Sequence, residues 1–277
     1  MSYLDGKVLA VTGAASGFGL DISSQAAARG ARVILLDVDA AGAAAAATSI
    51  RDAGLSAQGI GLDVRDREAF ADVISQVVAE HGHIDILVNN AGIMPLAFLA
   101  DHDRAAEAWD RCIDINIKGV LHGVCAVYDH MIAQGSGHVV NISSIYGNAG
   151  IAGAAVYGAT KAAIGTLSNA LRVEAQGRIK VTVVRPSGMA GTNLSSSVID
   201  FAAAAPLAAH RVAEWQDHIA QLTSGSPSPG LTDRDDPRCW TLLSADAAAQ
   251  VVHVIDQPLG FTISEITLRA SGEDYVY

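Results

Sequence analysis

KVLAVTGAASGFG, residues 7 to 19, runs from a short apolar segment into a glycine-rich turn and out of it into a helical pattern. The glycines stand at 13, 17 and 19, a T-G-x-x-x-G-x-G spacing distinct from G-x-G-x-x-G. Glycine allows a tight turn and close backbone approach, and the amides at a helix N-terminus attract a phosphate or pyrophosphate. Gly13, Ser16, Gly17, Phe18 and Gly19 are therefore candidate contacts to a dinucleotide. A turn that only joins a strand to a helix is the alternative, which context must decide.

Outward from this turn, short apolar runs alternate with helical patterns. The expected strands are 7–13, 31–37, 56–64, 84–90, 137–143, 179–186 and 260–269. Six are rich in Val, Ile and Leu without polar alternation, as strands covered on both faces are. The expected helices are 17–29, 39–53, 66–81, 103–133 and 154–176. The alanine run at 39–47 fits a surface helix that Asp39 caps. Repeated strand and helix units imply an α/β fold: a Rossmann-like, doubly wound parallel sheet of about seven strands. The chain, 1–277, reads as one domain. From about 187 to 245 the rhythm fails, with no strand candidate, and this segment is expected to be a helical lid or binding loop before the last strand.

Half of the 277 residues are hydrophobic and 17% are charged, enough for a large core. A net charge of -11 argues against nucleic acid as a partner, because gripping phosphates needs clustered Lys and Arg. There is no signal-peptide pattern and no apolar run long enough to span a bilayer, so a cytoplasmic protein without a membrane partner is expected. Cys112, Cys125 and Cys239 fit no metal spacing and read as free thiols. The nine histidines show no ligand spacing either, and no metal is expected.

Asp37 ends the second expected strand, where a carboxylate accepts hydrogen bonds from an adenosine ribose. A 2'-phosphate would meet its charge, and Ala14, Ala15 and Val38 offer no cation, so the cofactor inferred is NAD rather than NADP. Asp37 as a turn residue or cap is the alternative. Asp63 and Val64 end the third strand; Asp63 fits an adenine contact and a helix cap equally. NNAG (89–92) ends the fourth, placing Asn90, Ala91 and Gly92 at the same sheet edge. Ser143 and Ser144 end the fifth. Tyr157 and Lys161, four apart, share one helix face, and a neighbouring ammonium is expected to lower the phenol pKa.

These motifs, in this order, resemble the short-chain dehydrogenase/reductase family of the plain single-domain type. The resemblance covers 5–186 and about 246–270, through TGAASGFG, Asp63, NNAG, Asn116, Ser144 and Y-x-x-x-K. It implies that Tyr157 is the general acid/base, that Ser144 orients the substrate oxygen, and that Lys161 tunes the tyrosine and holds the nicotinamide ribose. Asn116 would hold a water linking Lys161 to solvent, and Ser143 would be a packing neighbour. After the sixth strand the family typically has Pro-Gly and a threonine five residues past the proline. Here the stretch is PSGMAGT (186–192), with a serine in place of that glycine and the threonine one residue late. Pro186, Gly188, Met189 and Thr192 are candidate cofactor contacts by that resemblance.

Met94, Ile145, Tyr146, Met189, Leu194 and Trp215 flank the motifs or lie in the expected lid, and are candidate substrate-pocket residues. They are mostly apolar, and core packing is their alternative role. Arg185 reads as structural. The expected activity is an NAD-dependent alcohol dehydrogenase or ketone reductase acting on an apolar cyclic, aryl or aliphatic secondary alcohol or ketone. A polyol or sugar dehydrogenase of the same family is one alternative, and a catalytically silent NAD-binding sensor or scaffold is another. The resemblance also implies a homo-oligomer, a tetramer or dimer.

Overall fold

Val8–Thr12 forms β1, and all five residues are buried. Around it, in a computed structural model that describes residues 2–225 and 227–277, lie β2 (Arg32–Asp37), β3 (Ala57–Gly61), β4 (Ile86–Asn89), β5 (Gly137–Ile142) and β6 (Ile179–Pro186). The last strand of the main sheet, Glu265–Leu268, is β9; the short β7 and β8 come below. The order is β3-β2-β1-β4-β5-β6-β9, with every neighbouring pair parallel. Strand β1 is central: Leu9 pairs with Val33 of β2 on one side and Ile86 of β4 on the other. The chain winds outward from β1 in one direction and from β4 in the other, so the crevice where ligands bind such sheets opens beyond the carboxyl ends of these two strands.

Helices cover both faces. Helices α1 (Gly17–Ala27) and α2 (Ala40–Asp52) join α8 (Ser244–Ile255) on one face, packing Ile22, Ala47 and Val251 against Leu9, Val11 and Leu35. Helices α3 (Arg67–His81), α5 (Val120–Gln134) and α6 (Ala155–Glu174) cover the other, with Phe70, Val127 and Ile164 against Val8, Ala10 and Leu87. This two-sided burial explains why the strands are almost uniformly apolar. Asp39 caps α2 by accepting from the Gly42 amide, as expected from the sequence.

The expected helix at 103–133 is three elements. Helix α4 (His102–Ile113) passes through a π-helical turn, Asp114–Gly119, into α5. That turn widens the backbone at Asn116, a distortion that often marks functional positions. Beyond β6 the chain forms β7 (Met189–Ala190), 3-10 turns at Leu194–Ser197 and Phe201–Arg211, α7 (Val212–Thr223) and β8 (Leu242–Leu243). Strands β7 and β8 pair in parallel; two residues each are too few for a strand periodicity to show in the sequence. Helix α8 was also not expected from the pattern, since Leu243 at its N-cap provides no side-chain hydrogen bond. The expected lid has a small core of its own, Ala208, Trp215, Leu231 and Trp240. Met1 and Ser226, the latter inside that segment, lie outside the described residues.

Candidate active site

The glycine turn and NNAG form one interlocked cradle between β1 and β4. Gly13 has φ +65° and Gly17 φ +54°, values that side chains rarely tolerate. A Cβ on Gly19 would stand 2.3 Å from the Gly13 carbonyl oxygen and 2.6 Å from Asn90 Nδ2, so only glycine fits. Asn90 Nδ2 donates to the carbonyls of Thr12 (2.9 Å) and Gly13 (3.0 Å). The amides of Asn90 and Ala91 both donate to Thr12 Oγ1 at 3.0 Å. Thr12 thus pins the two loops together, a role the sequence reading did not assign although it opens the motif. Ser16 occupies the N-cap of α1 without a side-chain cap bond, and no acidic residue sits in the first turn. The first amides of α1 are therefore not claimed by these side chains, which suits an anionic ligand. Phe18 packs into the core.

Asp37 Oδ2 accepts from the Ala15 amide (2.9 Å) and Oδ1 from the Asp39 amide (3.0 Å), which fixes the carboxylate beside the glycine turn. Asp63 is paired with Arg65, whose guanidinium holds the carboxyl below its usual range. The cap of α3 is Asp66, which accepts from the Ala69 amide, so the helix-cap alternative for Asp63 is corrected. The Val64 carbonyl bonds His122 Nδ1 at 2.9 Å.

At the neighbouring edge, β5 and α6 bring Ser144, Tyr157 and Lys161 together, all buried. The Ser144 hydroxyl neighbours the Tyr157 side chain and favours its ionised form. Lys161 Nζ donates to the Ile142 carbonyl (2.9 Å) and stands 5.8 Å from the Tyr157 ring centroid. A Cβ on Gly92 would lie 3.5 Å from Lys161 Nζ and 3.2 Å from Asn116 Oδ1, so NNAG, Lys161 and Asn116 converge. Asn116 Nδ2 donates to the Ile93 carbonyl (2.9 Å), Thr160 Oγ1 (3.1 Å) and Cys112 Sγ (3.3 Å), while its Oδ1 accepts from the Ile93 amide (3.0 Å). The free thiol Cys112 and Thr160, the latter unmarked by any motif, hold Asn116 in place. Ser143 Oγ donates to the Lys161 carbonyl (2.7 Å), the packing role expected of it.

The electrostatics correct one expectation. Burial pushes the Tyr157 phenol well above its ordinary value, and the neighbouring Ser144 hydroxyl only partly opposes that rise. Burial also pushes Lys161 down to about 8. Desolvation, rather than the lysine charge, governs the tyrosine proton here, and Tyr157 is a protonated donor at neutral pH.

Of the six expected pocket residues, Met94, Ile145 and Tyr146 pack with Tyr157, together with Leu96, Ile151 and Leu207. The Tyr146 and Tyr157 rings meet edge to face at 5.4 Å. Met189 packs with Leu242 against the opposite core, and Trp215 belongs to the lid core, so neither joins the cluster around Tyr157. Leu194 sits half-buried in a 3-10 turn. The segment after β6 instead returns to the glycine turn. A Cβ on Gly17 would lie 3.3 Å from both the Gly191 oxygen and Thr192 Cα, and Asn193 Nδ2 donates to Ser16 Oγ at 3.3 Å. Thr192 Oγ1 donates to the Met189 carbonyl (3.4 Å), and the Pro186 carbonyl accepts from Ser144 Oγ (3.4 Å). Gly188 faces Tyr275, a residue no sequence motif marks. A separate cavity of about 610 Å³ is lined by Arg211, His218, Arg238 and Glu273 among others. Among the described residues no group of His, Cys, Asp or Glu could hold a metal ion, and no helix is long and apolar enough to cross a membrane.

A phosphate-ready helix at the switch point of a parallel sheet, with a serine, tyrosine and lysine on the adjoining strand edge, defines an oxidoreductase of the dinucleotide-binding class. Residues 7–202 match the model of the short chain dehydrogenases, and the chain belongs to that family. A cis-4-hydroxycyclohexanecarboxylate dehydrogenase of Sinomonas cyclohexanicum is 42% identical over 190 residues, 68% of this chain and 75% of that protein. A cyclopentanol dehydrogenase of Comamonas is 36% identical over 201 residues, 72% and 79% of the two chains. Among solved structures, an NAD+-bound xylitol dehydrogenase superposes with TM-score 0.77 at 26% identity, covering 97% and 99% of the two chains. An alcohol dehydrogenase of the archaeon Thermococcus sibiricus, complexed with 5-hydroxy-NADP, shares the fold with TM-score 0.78 at 20% identity over 98% and 99%.

Proposed function

We propose that this protein is an NAD-dependent dehydrogenase that interconverts an apolar, alicyclic secondary alcohol and its ketone. The observation that carries the reading is the buried Tyr157, neighboured by Ser144 and Lys161 and walled by Met94, Ile145 and Tyr146. The relatives that act on cyclopentanol and on a hydroxycyclohexane carboxylate support the substrate class.

The glycine cradle, which any Cβ at Gly19 would fill, and the first turn of α1 fit a dinucleotide pyrophosphate. Gly13, Gly17 and the Asn90–Gly92 loop would shape that site, with Asp37 accepting from the adenosine ribose and thereby favouring NAD. A nicotinamide held there would supply hydride exchange with the carbinol carbon. In the reducing direction the Tyr157 hydroxyl gives its proton to the carbonyl oxygen; in the oxidising direction it recovers that proton from the alcohol. Ser144 orients the oxygen by hydrogen bonding. The Lys161 ammonium offsets negative charge left on Tyr157, and Asn116 holds the adjoining Ile93 backbone and Thr160 in register. The family likeness implies a homo-oligomer, a tetramer or dimer, which sedimentation would test.

A polyol dehydrogenase is the second reading, favoured by the likeness to xylitol dehydrogenase and opposed by the apolar wall. Nicotinamide absorbance kinetics with NAD and NADP on alicyclic alcohols and on polyols separate the two. Preference for NAD with alicyclic alcohols is expected; better use of NADP refutes the role of Asp37, and activity confined to polyols refutes the substrate class. Tyr157→Phe is expected to lower kcat by about 10²- to 10⁴-fold with NADH binding retained. Full activity in that variant removes the acid/base assignment.

A further inference from the structure

We propose that Tyr275 is a specificity-determining residue of the substrate pocket, a fixed aromatic wall that limits the bulk of the ring beside Tyr157. The inference rests on the dehydrogenase reading above. Tyr275 lies far from every motif in the sequence, yet its side chain packs against the cluster that contains Tyr146, Tyr157, Ile151 and Leu207. It also packs against the lid core, with its ring 5.9 Å from that of Trp240. Its hydroxyl stands 2.8 Å from where a Cβ on Gly188 would be, so the glycine two residues past Pro186 is what admits the phenol at the end of β6. Tyr275 therefore touches the catalytic cluster, the strand end and the lid together.

The neighbours of Tyr275 hold it rigidly. Asp274 is fully buried and pairs with Arg211 (2.7 Å) and His218 (2.6 Å), and it accepts from Trp240 Nε1 (2.8 Å). Glu273 pairs with Arg269 and accepts from the Ala270 amide at 3.3 Å. The Val276 amide donates to the Leu207 carbonyl at 3.2 Å, and Leu207 is itself a member of the catalytic cluster. With anchors on both sides, the ring cannot swing aside for a larger substrate at low cost. Burial pushes the phenol up to about 12, so it presents a hydroxyl and no charge to an apolar ligand. A wall of this kind discriminates by size, since one excess methylene in an apolar pocket is worth roughly 10- to 200-fold.

The test compares wild type with Tyr275→Ala, Tyr275→Leu and Tyr275→Phe on cyclopentanone, cyclohexanone and 4-tert-butylcyclohexanone, with NADH affinity measured by fluorescence. In Tyr275→Ala the kcat/KM ratio of the bulky to the compact ketone is expected to rise by about tenfold or more, mainly through KM, with NADH affinity unchanged. Tyr275→Phe should keep the wild-type ratio because it keeps the ring. Should the alanine variant not fold, Tyr275→Leu gives the same reading with a smaller rise. An unchanged ratio, or an equal fall for all ketones, overturns the proposal. Failure of the alicyclic-substrate reading shows separately, as wild type turning over polyols instead; the same ratio is then read between small and large polyols.

Discussion

Residues 7–186 and residues 187–277 both bury polar groups, and they do so by different means. In the first region the partners are mostly backbone: Ser143 to the Lys161 carbonyl, Lys161 to the Ile142 carbonyl, Asn116 to both ends of the Ile93 peptide unit. Those carbonyls and amides belong to strands, helices and the loop tied to them, so Ser143, Asn116 and Lys161 are fixed by the sheet and its helices. In the second region the partners are charged side chains: Asp274 with Arg211 and His218, Arg234 with Asp246, Arg238 with Asp236. Several of these cations are largely exposed and give little stability individually, whereas buried Asp274 needs its partners. The groups around Tyr157 are thus held by the backbone of the sheet and its helices, and those around Asp274 by ion pairs.

Four changes test that division. The largest effect is expected from Gly19→Ala, because its Cβ would overlap the Gly13 carbonyl and Asn90. A loss of about 3 kcal/mol or more in thermal or urea unfolding, with NADH binding abolished, is expected; wild-type stability and binding would refute the interlocked cradle. Next, Asp274→Asn should weaken the lid by about 2 kcal/mol, the worth of charge-assisted hydrogen bonds. Limited proteolysis should then cut faster within 211–240 and KM for ketone should rise, while NADH affinity stays constant. A loss of NADH affinity equal to the rise in KM would show that the two regions are not independent.

Lys161→Met tests the electrostatics of the catalytic region. Burial lowers Lys161 from 10.5 to about 8, so between those values the unfolded chain holds this proton and the folded chain does not. Stability from this group therefore rises with pH from about 8 to 10.5 and is lowest below 8. The methionine variant should lose that slope and gain on the order of 1–3 kcal/mol at pH 7 while losing activity. Unchanged stability at pH 7 would mean that the ammonium is solvated. The smallest effect belongs to Ala209, which has φ +48° at the kink before α7. Ala209→Gly should raise stability by about 1 kcal/mol, visible as a small increase in melting temperature.

The sheet was legible in the sequence because a parallel strand covered on both faces is written as a continuous apolar run. All seven expected strands overlap observed ones, and the poorest, 56–64, shortens to Ala57–Gly61. The cradle was legible because it depends on glycines whose side chains would collide, a local requirement with a fixed spacing. The break at Asp114–Gly119 was not, since a π turn leaves the apolar periodicity almost unchanged. Helix α8 was hidden by the lack of a cap, and the pocket by distance along the chain: Met189 lies beside a motif and Trp215 in the expected lid, but both pack elsewhere.

What the amino-acid sequence determined by itself was the seven strands of the main sheet and the glycine cradle, because each follows from local periodicity or spacing. What only the tertiary structure decided was the protonation balance at Tyr157 and the placement of Tyr275 against Gly188. Both depend on burial among residues distant in sequence, and desolvation is a property of the packed interior that no local stretch encodes.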